Sequence, residues 1–200
     1  EGDEVGVNYF MSDGAIRCSA IHDRYLQKDG GRAARLPLAY VYPSKYTDCY
    51  MANEDAAVRE MFGAAGMRNG TLFLQGCVSD GDVKFYEMGF RLNGAKQYQI
   101  IDLVHGLNPM HCLVDHTLLG AMCDSGSVDG MDPRFPRYYC TLSMLAKPGA
   151  IGQIRGVDEV KALDGFVAYT PWYAEGERIG EEALGTQKQI AGRITLEAPS

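Results

Sequence analysis

The sequence has no excess of positive charge, no long apolar run and no closely spaced pair of cysteines, and each absence excludes a class of protein. Nineteen Lys and Arg stand against 26 Asp and Glu, a formal net charge of −7. Nucleic-acid binders carry a basic face instead, so no nucleic-acid partner is expected, although a few local cations would still serve a nucleotide. The apolar runs fall far short of the roughly 20 residues that cross a bilayer as a helix, so no membrane partner is expected. The six cysteines, Cys18, Cys49, Cys77, Cys112, Cys123 and Cys140, form no C-x-x-C pair. That argues against zinc and predicts reduced thiols in a cytoplasmic protein. There is no internal repeat and no low-complexity tract.

What is present is ordinary globular material, 46% apolar and 22% charged over 200 residues, enough for one domain or a domain with a satellite. The chain opens Glu1-Gly2-Asp3-Glu4-Val5 without an initiator Met, passes directly into a strand-like alternation, and ends strand-like at Arg193–Ser200. Both ends predict a segment of a longer polypeptide.

Val5–Phe10 and Ala15–Ile21 read as strands joined by the turn signal Ser12-Asp13-Gly14. Leu36–Tyr42 is extended and closed by Pro43. The apolar spacing of Met51, Val58, Met61, Phe62 and Ala65 predicts a helix over Tyr50–Gly66. Thr71–Val78 and Val83–Gly89 form a second hairpin. Helices are expected over Ala95–His105 and from Pro109, capped by Asn108, to about Cys123. Asp124–Pro133 is rich in turn formers and reads as a connector. Beyond it come short strands at Tyr138–Ala146, Ile151–Ile154, Phe166–Tyr169 and Gly192–Ala198, with a helix at Val157–Leu163. The expected class is α+β: a body over 1–126 and a smaller β-rich unit over 134–200.

The second hairpin carries the chemistry. Gln75 and Glu87 stand twelve residues apart across a turn near Gly81. A three-residue loop sets Ser79 opposite Val83, Phe73 opposite Gly89 and Gln75 opposite Glu87, so both oxygen-bearing side chains leave one face. A two-residue loop slips the register and sends them to opposite faces. A carboxylate beside an amide oxygen suits Mg²⁺, which uses one or two protein groups and takes the rest from phosphates and water. Arg91, further along that face, would fork onto a phosphate. A solvated edge pair of Glu and Arg is the alternative.

The order strand, turn, Gln75, strand, Glu87, Arg91 and Gly94, followed by two helices, resembles the metal-binding end of the ATP-grasp superfamily. There, a first ligand precedes a Glu-x-Asn-Pro-Arg segment, which here is Glu87-Met88-Gly89-Phe90-Arg91. Gln at the first position is similar to carbamoyl phosphate synthetase, the rest to carboxylate–amine ligases. The opening Glu1–Val7 with Ser12-Asp13-Gly14 resembles the family's strand-turn-strand and puts Glu4 on the carboxylate that holds the ATP ribose. The tail, Lys147–Ala150, Gly156–Val160 and Gly176–Gly180, resembles the β-rich C-terminal piece of the biotin-carboxylase-like branch. Gly89 departs from the family's Asn and Phe90 from its Pro, so one metal oxygen is missing.

The resemblance implies the C-terminal subdomain of an ATP-grasp fold, with its N-terminal half missing from this stretch. It implies ATP and Mg²⁺ (or Mn²⁺) as cofactors, and small-molecule carboxylate and amine substrates joined through an acyl phosphate. Gln75 and Glu87 would hold metal and nucleotide, Glu4 the nucleotide, and Arg91 would be catalytic; this stretch alone would be inactive. A nucleotide-binding pseudoenzyme or regulatory subunit is the alternative from another class. Other candidates have ordinary readings: His22-Asp23-Arg24 a loop cluster, His111 and His116 helix-surface residues, Asn93 a turn residue, Lys45 a loop cation and Trp172 packing of the small unit.

Overall fold

The computed structural model describes residues 2–27, 36–123 and 126–198. Glu1, Asp124, Ser125, Pro199 and Ser200, which belong to segments interpreted above, lie outside the described residues. In chain order the elements are β1 (Glu4–Ser12), β2 (Ala15–Leu26), β3 (Pro37–Tyr42), α1 (Thr47–Asn53), α2 (Asp55–Ala64), β4 (Gly70–Ser79), β5 (Asp82–Gly89), α3 (Tyr98–His105) and α4 (Pro109–Leu119). Then follow α5 (Gly126–Asp129), β6 (Tyr138–Leu145), β7 (Gly149–Ala150), α6 (Val157–Lys161), β8 (Phe166–Pro171), β9 (Arg178–Ile179) and β10 (Ile190–Ala198). The class is α+β, with antiparallel pairing of β1 with β4, β4 with β5, β6 with β10, β8 with β10 and β7 with β9. No helix among the described residues is long and apolar enough to cross a membrane. All six cysteines are free.

The chain forms two compact units, one of residues 1–23 and 42–136, the other of 24–41 and 137–200. In the first unit the strands run in the order β5-β4-β1-β2. One face of these strands is apolar: Val5, Val7, Tyr9 and Met11 of β1 and Leu72, Leu74 and Val78 of β4 pack with Tyr50 and Phe62 of α1 and α2. Tyr9 also carries a polar contact into this core. Its hydroxyl lies 2.7 Å from that of Tyr50 and donates to Asp55 Oδ1 at 3.0 Å, while Arg59 holds Asp55 from the rim at 2.7 Å. Burial pushes both phenols far above their ordinary range, so they stay neutral donors.

Several expected boundaries move, each for a local reason. The helix expected over Tyr50–Gly66 is two helices, α1 and α2, meeting at Glu54, whose backbone leaves the helical region. The Glu54 carboxylate accepts the Val83 amide of β5 at 2.7 Å instead of capping the helix. The helix α3 starts at Tyr98 rather than Ala95, because Lys96 has positive φ and the Asn93 side chain accepts the Ala95 amide. Asn108 caps α4 as expected, accepting from Met110 and His111, but Gly120 in the left-handed region ends the helix before Cys123. Part of the expected connector is helical as α5.

In the second unit the order is β3-β6-β10-β8. Thr141 and Thr195 pair and share a hydrogen bond across β6 and β10. Arg193, 4% exposed, lies with its guanidinium 4.5 Å from the Trp172 ring and 5.6 Å from that of Tyr40. Trp172 therefore packs this unit, as expected. The strand expected at Ile151–Ile154 does not form: backbone bonding with the facing segment ends at Ile151, which bonds to Glu177 and Gly176, and the Ile154 amide donates to the Glu175 carboxylate instead. The helix α6 stops at Lys161, short of Leu163.

Candidate functional site

Asp80 and Gly81 both have positive φ, 55° and 87°, which makes the β4–β5 loop a two-residue turn. Ser79 accordingly faces Asp82 and Val78 faces Val83, so the expected three-residue loop is corrected. Asp-Gly favours this turn because its backbone twist matches that of the strands it joins. Continued unchanged, that register would put Tyr86 opposite Gln75. A bulge intervenes between Gln75 and Gly76: Gly76 faces Phe85 and Gln75 faces Glu87, leaving Tyr86 as the extra residue. The expected pairs Gln75 with Glu87 and Phe73 with Gly89 are therefore present, reached through a bulge rather than through the loop.

On the neighbouring strand, Gly6 pairs with Gln75, so Gly6, Gln75 and Glu87 form a row across three strands. This is the face opposite the apolar core. Gln75 is half-buried and Glu87 exposed, and neither side chain is hydrogen-bonded among the described residues. Glu4 lies on the same face, opposite Cys77, and accepts a hydrogen bond from the hydroxyl of Tyr86 at 2.9 Å. The bulged residue therefore reaches back to hold Glu4. A Cβ at Gly6 would meet the imidazole of His22, which is 1% exposed, stacks at 4.9 Å on Tyr42 and lies 3.1 Å from Gln97 Nε2. Gly6 is needed for that close approach.

Arg91 follows the end of β5. Its guanidinium lies 4.8 Å from the Phe73 ring and its Nη1 donates to Leu92 O at 3.0 Å. Beside it is a small cleft lined by Asn8, Thr71, Arg91, Asn93, Gln97 and Tyr98 among others. Gln97 Oε1 and Thr71 Oγ1 are buried there without a hydrogen-bond partner among the described residues. Thr71, Gln97, Asn8 and Phe73 were not singled out in the sequence. Nothing in their spacing signals them, because β1, β4 and α3 bring them together only in three dimensions.

Of the remaining sequence candidates, Asn93 lines this cleft and His22 lies against Gln97. His22, Asp23 and Arg24 lie within β2 rather than in a loop, and Asp23 accepts from Ser44 Oγ at 2.5 Å. Lys45 pairs with Asp3 at 2.6 Å. The Asn93 carboxamide oxygen is committed to the Ala95 amide. His111 and His116 belong to no metal cluster, since no group of three or more His, Cys, Asp or Glu that could hold a metal occurs among the described residues. Any divalent cation here would therefore take its remaining ligands from phosphates and water. The donor set of Gln75 and Glu87, two hard oxygens on paired residues without hydrogen-bond partners among the described residues, fits Mg²⁺ on those terms.

The fold is that of part of the ATP-grasp enzymes. The chain is similar along 100% of its length to an L-amino acid ligase from Bacillus licheniformis, with a TM-score of 0.76, 19% identity and 49% of that chain covered. It is likewise similar to phosphoribosylglycinamide synthetase from Anaerococcus prevotii, with a TM-score of 0.73, 13% identity, and 100% and 49% of the two chains covered. A third is the biotin carboxylase domain of 2-oxoglutarate carboxylase from Hydrogenobacter thermophilus, in complex with MgADP, ADP and bicarbonate. There the TM-score is 0.73 and the identity 12%, with 98% of this chain and 42% of that one covered. The chain thus spans about half the length of the solved structures it matches. No protein-family model and no curated protein matches the sequence.

Proposed function

We propose that this chain is the C-terminal part of the ATP-grasp domain of a carboxylate–amine ligase acting in the cytoplasm, with its β-rich subdomain attached. Within residues 1–126 the nucleotide and metal site falls to 1–23 and 42–126, and the subdomain of 134–200 also takes in 24–41. The observation that carries the reading is the side-by-side placement of Gln75 and Glu87 with Arg91 further along the same hairpin. Six free thiols support a reducing compartment.

In such a ligase the γ-phosphoryl group of ATP passes to a carboxylate, and an amine then attacks the acyl carbon and expels phosphate. Gln75 Oε1 and the Glu87 carboxylate would hold Mg²⁺, which when bound neutralises phosphate charge. Arg91, with one Nη1 donor taken by Leu92 O, would present its remaining donors to the phosphoryl oxygens or to the substrate carboxylate and neutralise charge as it develops. Glu4 would accept from the ribose hydroxyls. The Tyr86 hydroxyl donates to it and orients it. The matched structures are about twice the length of this chain, and the missing N-terminal half would complete the nucleotide site. This stretch alone is accordingly inactive.

One observation favours a second reading, a nucleotide-binding pseudoenzyme. The position two residues beyond Glu87 is Gly89, with Phe73 against it, where a further oxygen ligand would stand. The full-length protein, given ATP, Mg²⁺ and a pool of amino acids and small carboxylates, separates the two. Carboxylate-dependent phosphate release with a hydroxamate trapped by hydroxylamine, both abolished in Glu87→Gln, is the ligase outcome. ATP binding indifferent to Mg²⁺, without release, is the pseudoenzyme outcome.

A further inference from the structure

We infer that the site takes a single divalent cation, and that Phe73 enforces this by filling the space at Gly89 and seating Arg91 beside it. The inference rests on the ligase reading above. Along β5 the side chain after Glu87 on the same face belongs to Gly89, which has no donor. A Cβ there would lie 2.5 Å from Phe73 Cζ and closer still to Cε1. Phe73 is 2% exposed and paired directly opposite Gly89, so its ring has little room to yield.

The other positions around Gln75 are equally poor in oxygen. On β4 its same-face neighbours are Phe73 and Cys77. On β1 its partner is Gly6, whose side-chain space holds the His22 ring. Glu4 is one further step along β1 and is bonded to Tyr86. Mg²⁺ requires a near-octahedral set of oxygens. Gln75, Glu87, phosphate oxygens and water would complete one such set. The nearest other oxygen-bearing side chains of β1 on this face, Asn8 and Glu4, stand one register step to either side of Gly6. Asn8 is opposite Phe73 and donates its amide to Ala20 O, so a second ion would have to share Glu87. Arg91 supplies a fixed positive charge in its place. Its guanidinium, 4.8 Å from the Phe73 ring, offers hydrogen bonds to phosphate and repels a second cation.

The test is a count. The full-length protein, saturated with a non-hydrolysable ATP analogue, is titrated with Mn²⁺, and free Mn²⁺ is followed by electron paramagnetic resonance. One Mn²⁺ per nucleotide is expected, rising to two in the Phe73→Ala/Gly89→Asn variant, which removes the ring and adds an amide oxygen. Two in the wild-type protein would overturn the inference and leave the ligase reading standing. None, with the nucleotide bound, would overturn both. One in a folded double variant would overturn the role given to Phe73, and if that variant does not fold the wild-type count still decides the stoichiometry.

Discussion

Placing Asn at position 89 should destabilise the β4–β5 hairpin by an amount set by one ring. The new Cβ would sit 2.5 Å from Phe73 Cζ, whereas carbon atoms rest at about 3.5–4 Å, so the ring must move by roughly 1 Å. Phe73 is 2% exposed, and forcing such a shift in a packed site costs about 1–3 kcal/mol. Moving the ring also disturbs the contact with the Arg91 guanidinium, worth about 0.5–1 kcal/mol at an exposed site. Gly89→Asn alone should therefore cost about 1.5–4 kcal/mol. Phe73→Ala alone should cost about 3–5 kcal/mol through the cavity it leaves. Together they should cost less than their sum, by a coupling of about 1–3 kcal/mol, because the vacated ring space receives the Asn. Hydrogen exchange of the β4 and β5 amides, read by mass spectrometry, reports local opening of this hairpin and is not confused by the second unit. Costs that add within about 0.5 kcal/mol would refute the packing argument.

Three further outcomes follow from the first unit. Tyr9→Phe removes the hydroxyl shared with Tyr50 and Asp55, and should cost about 2–4 kcal/mol, one neutral bond and one to a carboxylate, in urea unfolding; a loss under about 0.5 kcal/mol would show that the network contributes nothing. His105 donates from Nε2 to Ser19 O, and burial depresses its pKa below the usual value of about 6.5. The unfolded chain therefore binds the proton more readily, and stability falls as pH drops below about 6.5, levelling off below the depressed folded value. His105→Gln, which keeps a donor, should flatten that part of the melting-temperature profile, and an unchanged slope would exclude His105 as its source. Burial pushes the Cys112 thiol up to about 12 and that of Cys18 well above its ordinary range. Both should resist iodoacetamide at pH 8 until the protein is unfolded, and mass spectrometric labelling of either in the native protein would contradict this.

The pair Gln75 and Glu87 was legible because antiparallel strands of known spacing leave few registers, and each register has a definite consequence for the faces. The route was not legible. Asp80-Gly81 selects a two-residue turn by local backbone preference, but the bulge that restores the pair at Tyr86 has no signature in the hairpin's own letters. The break at Glu54 was hidden for the same kind of reason. An apolar period continues across it, and only the arrival of the Val83 amide, far along the chain, explains why the carboxylate turns away from the helix.

By itself the sequence determined what depends on neighbours in the chain. The two turns at Asp13-Gly14 and Asp80-Gly81 follow from residues that accept positive φ, the start of α4 follows from the Asn108 cap, and the apolar face of β1 follows from its alternation. Tertiary structure alone decided what depends on residues distant in sequence. It set Phe73 against Gly89 and under Arg91, laid His22 over Gly6 and against Gln97, and tied Glu4 to Tyr86. Hydrophobic burial is non-directional and can be read from pattern, whereas a close ring contact or a hydrogen bond is specified only when separate strands and helices are brought to within a few ångströms.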